Sequence, residues 1–376
     1  MSQQSAGTHR LDQQTAEAFA ARAADIVNSG AIAIMLSIGH RTGLFDTMAK
    51  MSPSTSIQIA RAAELSERYV REWLAALVTG GIVTYDPARK TYTLPAEHAA
   101  SLTREGSLGN LALYGQHVAL LGVVQERVIS CFETGAGTTY DNYPCFHQIM
   151  AEDSGLTVVA QLFDTVLPLV PGLAERLAVG IDMLDAGCGQ GRAIIAMAER
   201  FPNSRFAGYD LCGDAIEDAS RAAAAAGLTN VRFARRDLTD WSEEACYDCI
   251  TTFDAVHDQK DPQDFLRRLH RALRQDGVYL MQDIGGSARL ENNIDFPMAS
   301  FLYAISCAHC TPVSLGQGGA GLGTMWGWET AESMLRQAGF SDIGRHTLPN
   351  DPMNVWFVAR TSRPDEAADG SSAEEA

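Results

Sequence analysis

The chain is short of positive charge. Lysine and arginine together number 29 against 46 aspartates and glutamates in 376 residues, a formal net charge of −17. Such a surface repels phosphate backbones and anionic membranes at long range, so neither nucleic acid nor membrane is expected as a partner. Also missing are an opening basic stretch followed by an apolar run, and any segment approaching ~18 uncharged apolar residues. The expectation is a cytoplasmic protein. No internal repeat is visible, which sets aside solenoids and propellers. The eight cysteines come without a secretory leader and read as reduced thiols rather than a disulfide framework. Two C-x-x-C pairs, Cys246 with Cys249 and Cys307 with Cys310, fall in a predicted strand and a predicted helix. Neither has the tight knuckle a zinc site needs, and no metal is expected.

What the chain does have is a 46% hydrophobic composition, enough for a sizeable core and two domains. Its most informative stretch is LDAGCGQGR, Leu184 to Arg192. A strand ending at Asp185 passes through Gly187, Cys188, Gly189 and Gly191 into a helix near Ala193, exposing backbone N–H groups at the helix start. Arg192 occupies the place where a dinucleotide loop wants its third glycine, so a pyrophosphate fits poorly. Further strands then end on carboxylates. FAGYD closes on Asp210, followed by Leu211, where nucleotide-binding α/β folds place a ribose ligand. VRFARRDL leads to Asp237 and Leu238, and CITTFD brings Phe253 to the same edge. In an open parallel sheet these residues converge on one crevice beyond the carboxyl ends of the strands. Each Asp taken singly could equally be a helix N-cap.

Periodicity divides the chain into residues 1–10, read as disordered; 11–104, a mostly helical winged-helix and dimerisation domain; 105–152, a long helix and connector; 153–360, the α/β domain; and 361–376, an acidic disordered tail. In the winged-helix outline, Glu67, Arg68, Arg71 and Glu72 alternate in sign on the second helix. A groove-reading helix carries a basic excess, so dimerisation or a lid role is favoured over DNA contact. LGNLALYGQHVALLGVVQERVISCF reads as one long, mostly apolar helix, buried between layers, and a homodimer is expected. The connector GAGTTYDNYPCFHQIM can close over a ligand and contributes Tyr143 and His147 to the cofactor set. Between the fifth strand and the last helix, Phe301, Tyr303, His309, Met325, Trp326 and Glu329 are the candidates for an acceptor pocket, with GQGGAGLG presenting backbone to it. Phe253 and Tyr209 are the rings available to a cation at the strand edge, although each could equally be plain core.

The glycine spacing resembles motif I of class I S-adenosylmethionine (SAM) methyltransferases. Together with ERYVREWLAALVTGGIV, LPAEHAASLT, YPCFHQIM, FDAVHDQKDP and SLGQGGAGLGTMWGWE, it makes the chain similar to bacterial, including mycobacterial, methyltransferases with an N-terminal winged helix. The resemblance implies a Rossmann-like seven-stranded sheet in the order 3-2-1-4-5-7-6 with one antiparallel strand, SAM as cofactor, and a small-molecule acceptor. It places the glycine turn under the methionine moiety, Asp210 on the ribose, and Asp237 with Leu238 at the adenine. FDAVHD also resembles plant small-molecule O-methyltransferases, which makes His257 the general base with Asp258 as its orienting carboxylate. An ordinary imidazole is largely neutral at cellular pH, as a base must be. His257 could also simply cap the next helix. The alternative function is a ligand-sensing winged-helix regulator that keeps a SAM-binding fold.

Overall fold

The computed structural model describes residues 11–349 and 351–361. The terminal segments read above as disordered lie outside the described residues, apart from Thr361, which ends a strand. Two compact units divide between Ala119 and Leu120, so the second half of the long helix and the connector belong with the sheet.

In the first unit, a helix spans Gln13–Arg41, opened by Asp12, whose side chain accepts from the Gln14 N–H. Gly43, at φ +69°, turns the chain into the helix Leu44–Ala49. Ser56–Ala62 begins with a reciprocal capping box between Thr55 and Gln58. Glu67–Thr79 follows and is closed by Gly80 and Gly81, and the short wing pairs β1 (Thr84–Asp86) antiparallel to β2 (Thr91–Thr93). Val70, Trp73, Leu74 and Leu77 recur at helical spacing and are buried with Leu44, Phe45 and Ile59. Trp73 donates its indole N–H to the Met35 carbonyl at 2.9 Å. Gly39 is required here, because a Cβ would lie 2.5 Å from the Phe45 ring. The sign alternation on Glu67–Thr79 resolves into two i,i+4 pairs, Arg71 with Glu67 at 3.2 Å and Arg68 with Glu72.

The helix Gln13–Arg41 leaves Phe19, Ile26, Val27, Ile34 and Ile38 exposed. By length and composition it could cross a membrane: its most apolar window reaches a mean hydropathy of 1.4, with none of that window buried. The sequence reading understated this stretch, because Arg22 and Asp25 interrupt its first half. The predicted long helix from Leu108 also begins later than expected, at Gly115, and runs to Thr134. Gly109 takes φ +91°, and residues 110–116 form successive i→i+3 turns instead. Leu120, Val124 and Val128 are buried, whereas Val123, Ile129 and Phe132 are exposed.

The second unit carries β3 (Asp182–Ala186), β4 (Arg205–Asp210), β5 (Val231–Arg235), β6 (Tyr247–Phe253), β7 (Leu273–Ile284), β8 (Phe340–Leu348) and β9 (Asp351–Thr361). Their order, β5-β4-β3-β6-β7-β9-β8, is the expected seven-stranded arrangement. β9 alone runs antiparallel to its neighbours. The sheet is covered on both faces. Phe265, Leu266, Leu269 and Leu335 pack on one side with Leu184, Ile250 and Tyr279. Leu162, Leu173, Ile194 and Met197 pack on the other with Met183, Leu280 and Trp356. Burial on both faces is why β3, β6 and β7 read as near-continuous apolar runs.

Candidate active site

The carboxyl ends of β3, β4, β6 and β7 lie side by side, and the site is built there. After β3, Gly187, Gly189 and Gly191 all take left-handed φ values of +80°, +52° and +70°. Each glycine meets something different. A Cβ on Gly187 would stand 2.7 Å from that of Ala255, and one on Gly191 would enter the Phe233 ring at 2.5 Å, whereas Gly189 has nothing within 4 Å. Gly189 is the point where backbone faces open space. Its N–H donates to Asp210 Oδ2 at 2.8 Å, and the Cys212 N–H donates to Asp210 Oδ1 at 2.9 Å. Two backbone donors thus orient the carboxylate and leave further lone pairs for a diol. This cradle fits the nucleoside and methionine parts of SAM.

The gap between Gly187 and Ala255 ties this loop to the turn after β6, where Asp254 adopts φ +56°. Two residues on, His257 is 2% exposed and its Nδ1 lies 2.8 Å from Asp283 Oδ1, at the end of β7. The same oxygen accepts from the Trp326 indole N–H at 3.0 Å and the Ile284 N–H at 2.8 Å. Asp283 is therefore the carboxylate hydrogen-bonded to the ring, a residue the sequence analysis did not single out. Asp258 stands on the other side of the ring, 3.4 Å from Nε2 and not at Nδ1. The ring is also not in the surroundings of an ordinary imidazole. Burial would pull its pKa down, but Asp283 and Asp258 outweigh it and hold it well above an ordinary histidine.

The other predicted residues separate into groups. Asp185 is buried behind the glycine loop, accepts from Thr251 at 2.8 Å, and has its pKa pushed up to about 7 by burial. Cys188 lies in the loop with its thiol pKa raised by burial, so it is an unreactive filler of the turn. Leu211 offers its carbonyl to Arg235. Asp237 is exposed two residues past β5 and binds the Thr239 N–H and hydroxyl, while Leu238 joins the core beside Trp241. Tyr209 and Phe253 do not reach the crevice as free rings. Tyr209 bonds Tyr247 and Glu243 in the core, and Phe253 packs edge-on against Trp356 at 6.0 Å.

Of the acceptor-pocket candidates, Trp326 touches Asp283, and Met325 packs with Phe301 and Tyr303 in a small cluster around Ile284. Glu329 is occupied, accepting from the Ser287 hydroxyl and the Ala288 N–H, and thus holds a loop. The glycines after Gly316 differ: Gly318 faces open space, with nothing within 4 Å of an added Cβ, whereas Gly319 and Gly323 are crowded. A Cβ on Gly319 would meet the Lys260 carbonyl at 2.7 Å, and one on Gly323 would meet Ser306 and Thr311. Those two are close-packing positions. His309 sits in a π-type turn, its ring stacked on Phe146 at 4.1 Å and edge-on to Tyr143 at 4.5 Å. Tyr143 is buried with its hydroxyl bonded to Thr138 and Ala308. His147 lies near Cys212 and Asp214. All eight cysteines are free thiols.

Comparison with known proteins agrees with this geometry. A profile described as an Rv2258c-like winged HTH domain matches residues 30–104, and one described as a methyltransferase domain matches residues 177–339. The "Probable (S)-tetrahydroprotoberberine N-methyltransferase 2" of Papaver bracteatum is 25% identical over 176 residues, and the matched part spans less than half, 46%, of either chain. Human N-acetylserotonin methyltransferase, solved with SAM, shares the fold at TM-score 0.66 with 16% identity, covering 95% of this chain and 100% of that one. The mitomycin 7-O-methyltransferase MmcR does so at 0.63 with 17% identity, covering 93% and 100%. The chain thus joins a winged-HTH domain, matched over residues 30–104, to a methyltransferase domain, matched over residues 177–339.

Proposed function

We propose that this chain methylates a hydroxyl group of a small-molecule acceptor, with His257 as general base. The observation that carries the reading is the His257–Asp283 pair, held on the turn whose Ala255 touches the glycine loop. When bound, SAM supplies an electrophilic methyl group on a sulfonium. Asp210 and the Gly189 turn hold the nucleoside end. His257 Nε2 accepts the proton leaving the acceptor hydroxyl, and Asp283 at Nδ1 fixes the tautomer and steadies the imidazolium that forms. Positive charge in the crevice favours the neutral imidazole through like-charge repulsion, which offsets the surrounding carboxylates. Placement behind the methyl group supplies most of the remaining rate enhancement.

Asp258 and Asp283 flank the imidazole, so an acceptor with a carboxylate beside its reacting atom is disfavoured. The paired arginines of Glu67–Thr79 support a non-DNA role for the winged helix, and the uncovered face of Gln13–Arg41 supports a homodimer. Calorimetry with SAM and S-adenosylhomocysteine (SAH) tests the cofactor half, and no binding of either at millimolar concentration would overturn it. His257→Ala should lower turnover ~100-fold or more with cofactor affinity retained. Unchanged turnover removes the base assignment.

A further inference from the structure

The connector and the insertion before the last helix interlock. The Thr138 N–H donates to the Pro312 carbonyl at 2.8 Å, and a Cβ on Gly316 would stand 1.9 Å from the Thr138 carbonyl oxygen. Only glycine permits that approach. Tyr140 follows at once, in a turn through Asn142 capped by Thr139 and Asn142. Its hydroxyl donates to Asp258 Oδ2 at 3.3 Å, and Asp258 in turn faces His257 Nε2. On its other side its ring lies 5.7 Å from that of His147, whose ring nitrogen is within 4.8 Å of Cys212 Sγ. The Cys212 N–H binds Asp210. Tyr140 thus stands between the ribose carboxylate and the base.

We propose that Tyr140 forms the aromatic wall of the methyl-donor site, its ring against the sulfonium and its hydroxyl fixing Asp258. The proposal rests on the SAM reading above. In SAM the charged sulfur and its methyl group lie between the ribose and the acceptor, so a ring placed between Asp210 and His257 meets that charge. The π face is negative and attracts a cation. The neighbouring rings are already engaged. Phe146 is stacked on His309, and Tyr143 meets the same histidine edge-on with its hydroxyl held at both ends. Tyr140 meets Phe146, His147 and His309 at 5.7–5.9 Å between ring centres, without the close stacking that Phe146 makes on His309. Burial and the Asp258 and Asp210 carboxylates also keep its hydroxyl protonated, so it serves as a donor and not as a competing base.

SAM and SAH differ here by the methyl group and the positive charge, so their affinity ratio reads the ring's interaction with that charge. The full chain is titrated calorimetrically with each ligand, as wild type, Tyr140→Leu and Tyr140→Phe. Tyr140→Leu should weaken SAM by about 5- to 30-fold and SAH by less than about 2-fold. Tyr140→Phe keeps the face and should retain the wild-type ratio, which separates the ring from any effect of folding. Equal weakening of both ligands by Tyr140→Leu, or no change in either, overturns the proposal alone. A wild-type chain that binds neither ligand overturns the cofactor reading and the proposal with it.

Discussion

Asp283→Asn is the sharpest probe of the site, because it removes charge while leaving shape and an acceptor oxygen in place. Oδ1 of Asp283 receives three donors, from His257, Trp326 and Ile284, and an amide oxygen in the same position can receive them all. Only the charge assistance is lost. A hydrogen bond to an ionised partner contributes about 1.5–3 kcal/mol and a neutral one about 0.5–1.5, so the imidazolium loses on the order of 1–2 kcal/mol. His257 should therefore titrate lower in the variant than in the wild type. The ring signals of His257 followed by NMR against pH read this directly without an acceptor. In turnover, the acid limb should move down with it, because the base works only when deprotonated.

The sign of the stability change follows from the same shift. The folded pKa of His257 lies above its unfolded value, so the pair stabilises the fold fully below about pH 6.5. That stabilisation disappears as pH rises through the folded pKa. Wild-type melting temperature should fall across this window more steeply than that of Asp283→Asn. A titration midpoint for His257 that does not move in the variant would refute the pairing as the source of the shift.

Three further outcomes are expected. Asp185 is raised from 3.8 to about 7, so its ionisation opposes folding as pH climbs from about 4 to 7; Asp185→Asn, which keeps an acceptor for Thr251, should gain up to ~4 kcal/mol over wild type above pH 7 and little near pH 4. Equal melting-temperature differences at both ends would contradict this. Gly316→Ala forces the connector off the insertion, at a cost of about 1–3 kcal/mol, and should speed amide hydrogen exchange around Thr138. Paired Phe19→Asp and Val27→Asp substitutions on the uncovered helix face should convert a dimer to a monomer by light scattering, and a wild-type monomer would remove the dimer inference.

The fold was largely readable from the chain because its signals are local. Glycines at strand-to-helix turns, carboxylates at strand ends and continuous apolar runs each arise within a few residues. The errors arose where register decides. Asp283 carries the same signal that singled out Asp210, an acidic residue closing an apolar strand, in VYLMQDI. Its pairing with His257 depends on β6 and β7 lying parallel with Phe253 opposite Gln282, which no short stretch reveals. Asp258 stands out in the sequence only as the carboxylate next to His257. For Tyr209 and Phe253 the sequence leaves two readings open, since a ring near a strand end can face either layer, and here each packs into a core.

The four aspartates at the sheet edge show that residue type alone does not assign a role. Asp185 meets one hydroxyl and no water, so its environment favours the neutral acid. Asp210 meets two backbone N–H groups at the rim, which hold it as an oriented acceptor for hydroxyls. Asp254 is half-buried on a left-handed turn beside the imidazole, with its pKa raised by burial. Asp283 is fully buried yet takes three donors on one oxygen, one of them a ring that can carry charge. Desolvation and donor count thus divide identical side chains into a buried acid, an oriented rim carboxylate and an imidazole's partner. A cationic methyl donor suits this edge because carboxylates at the strand ends attract its charge.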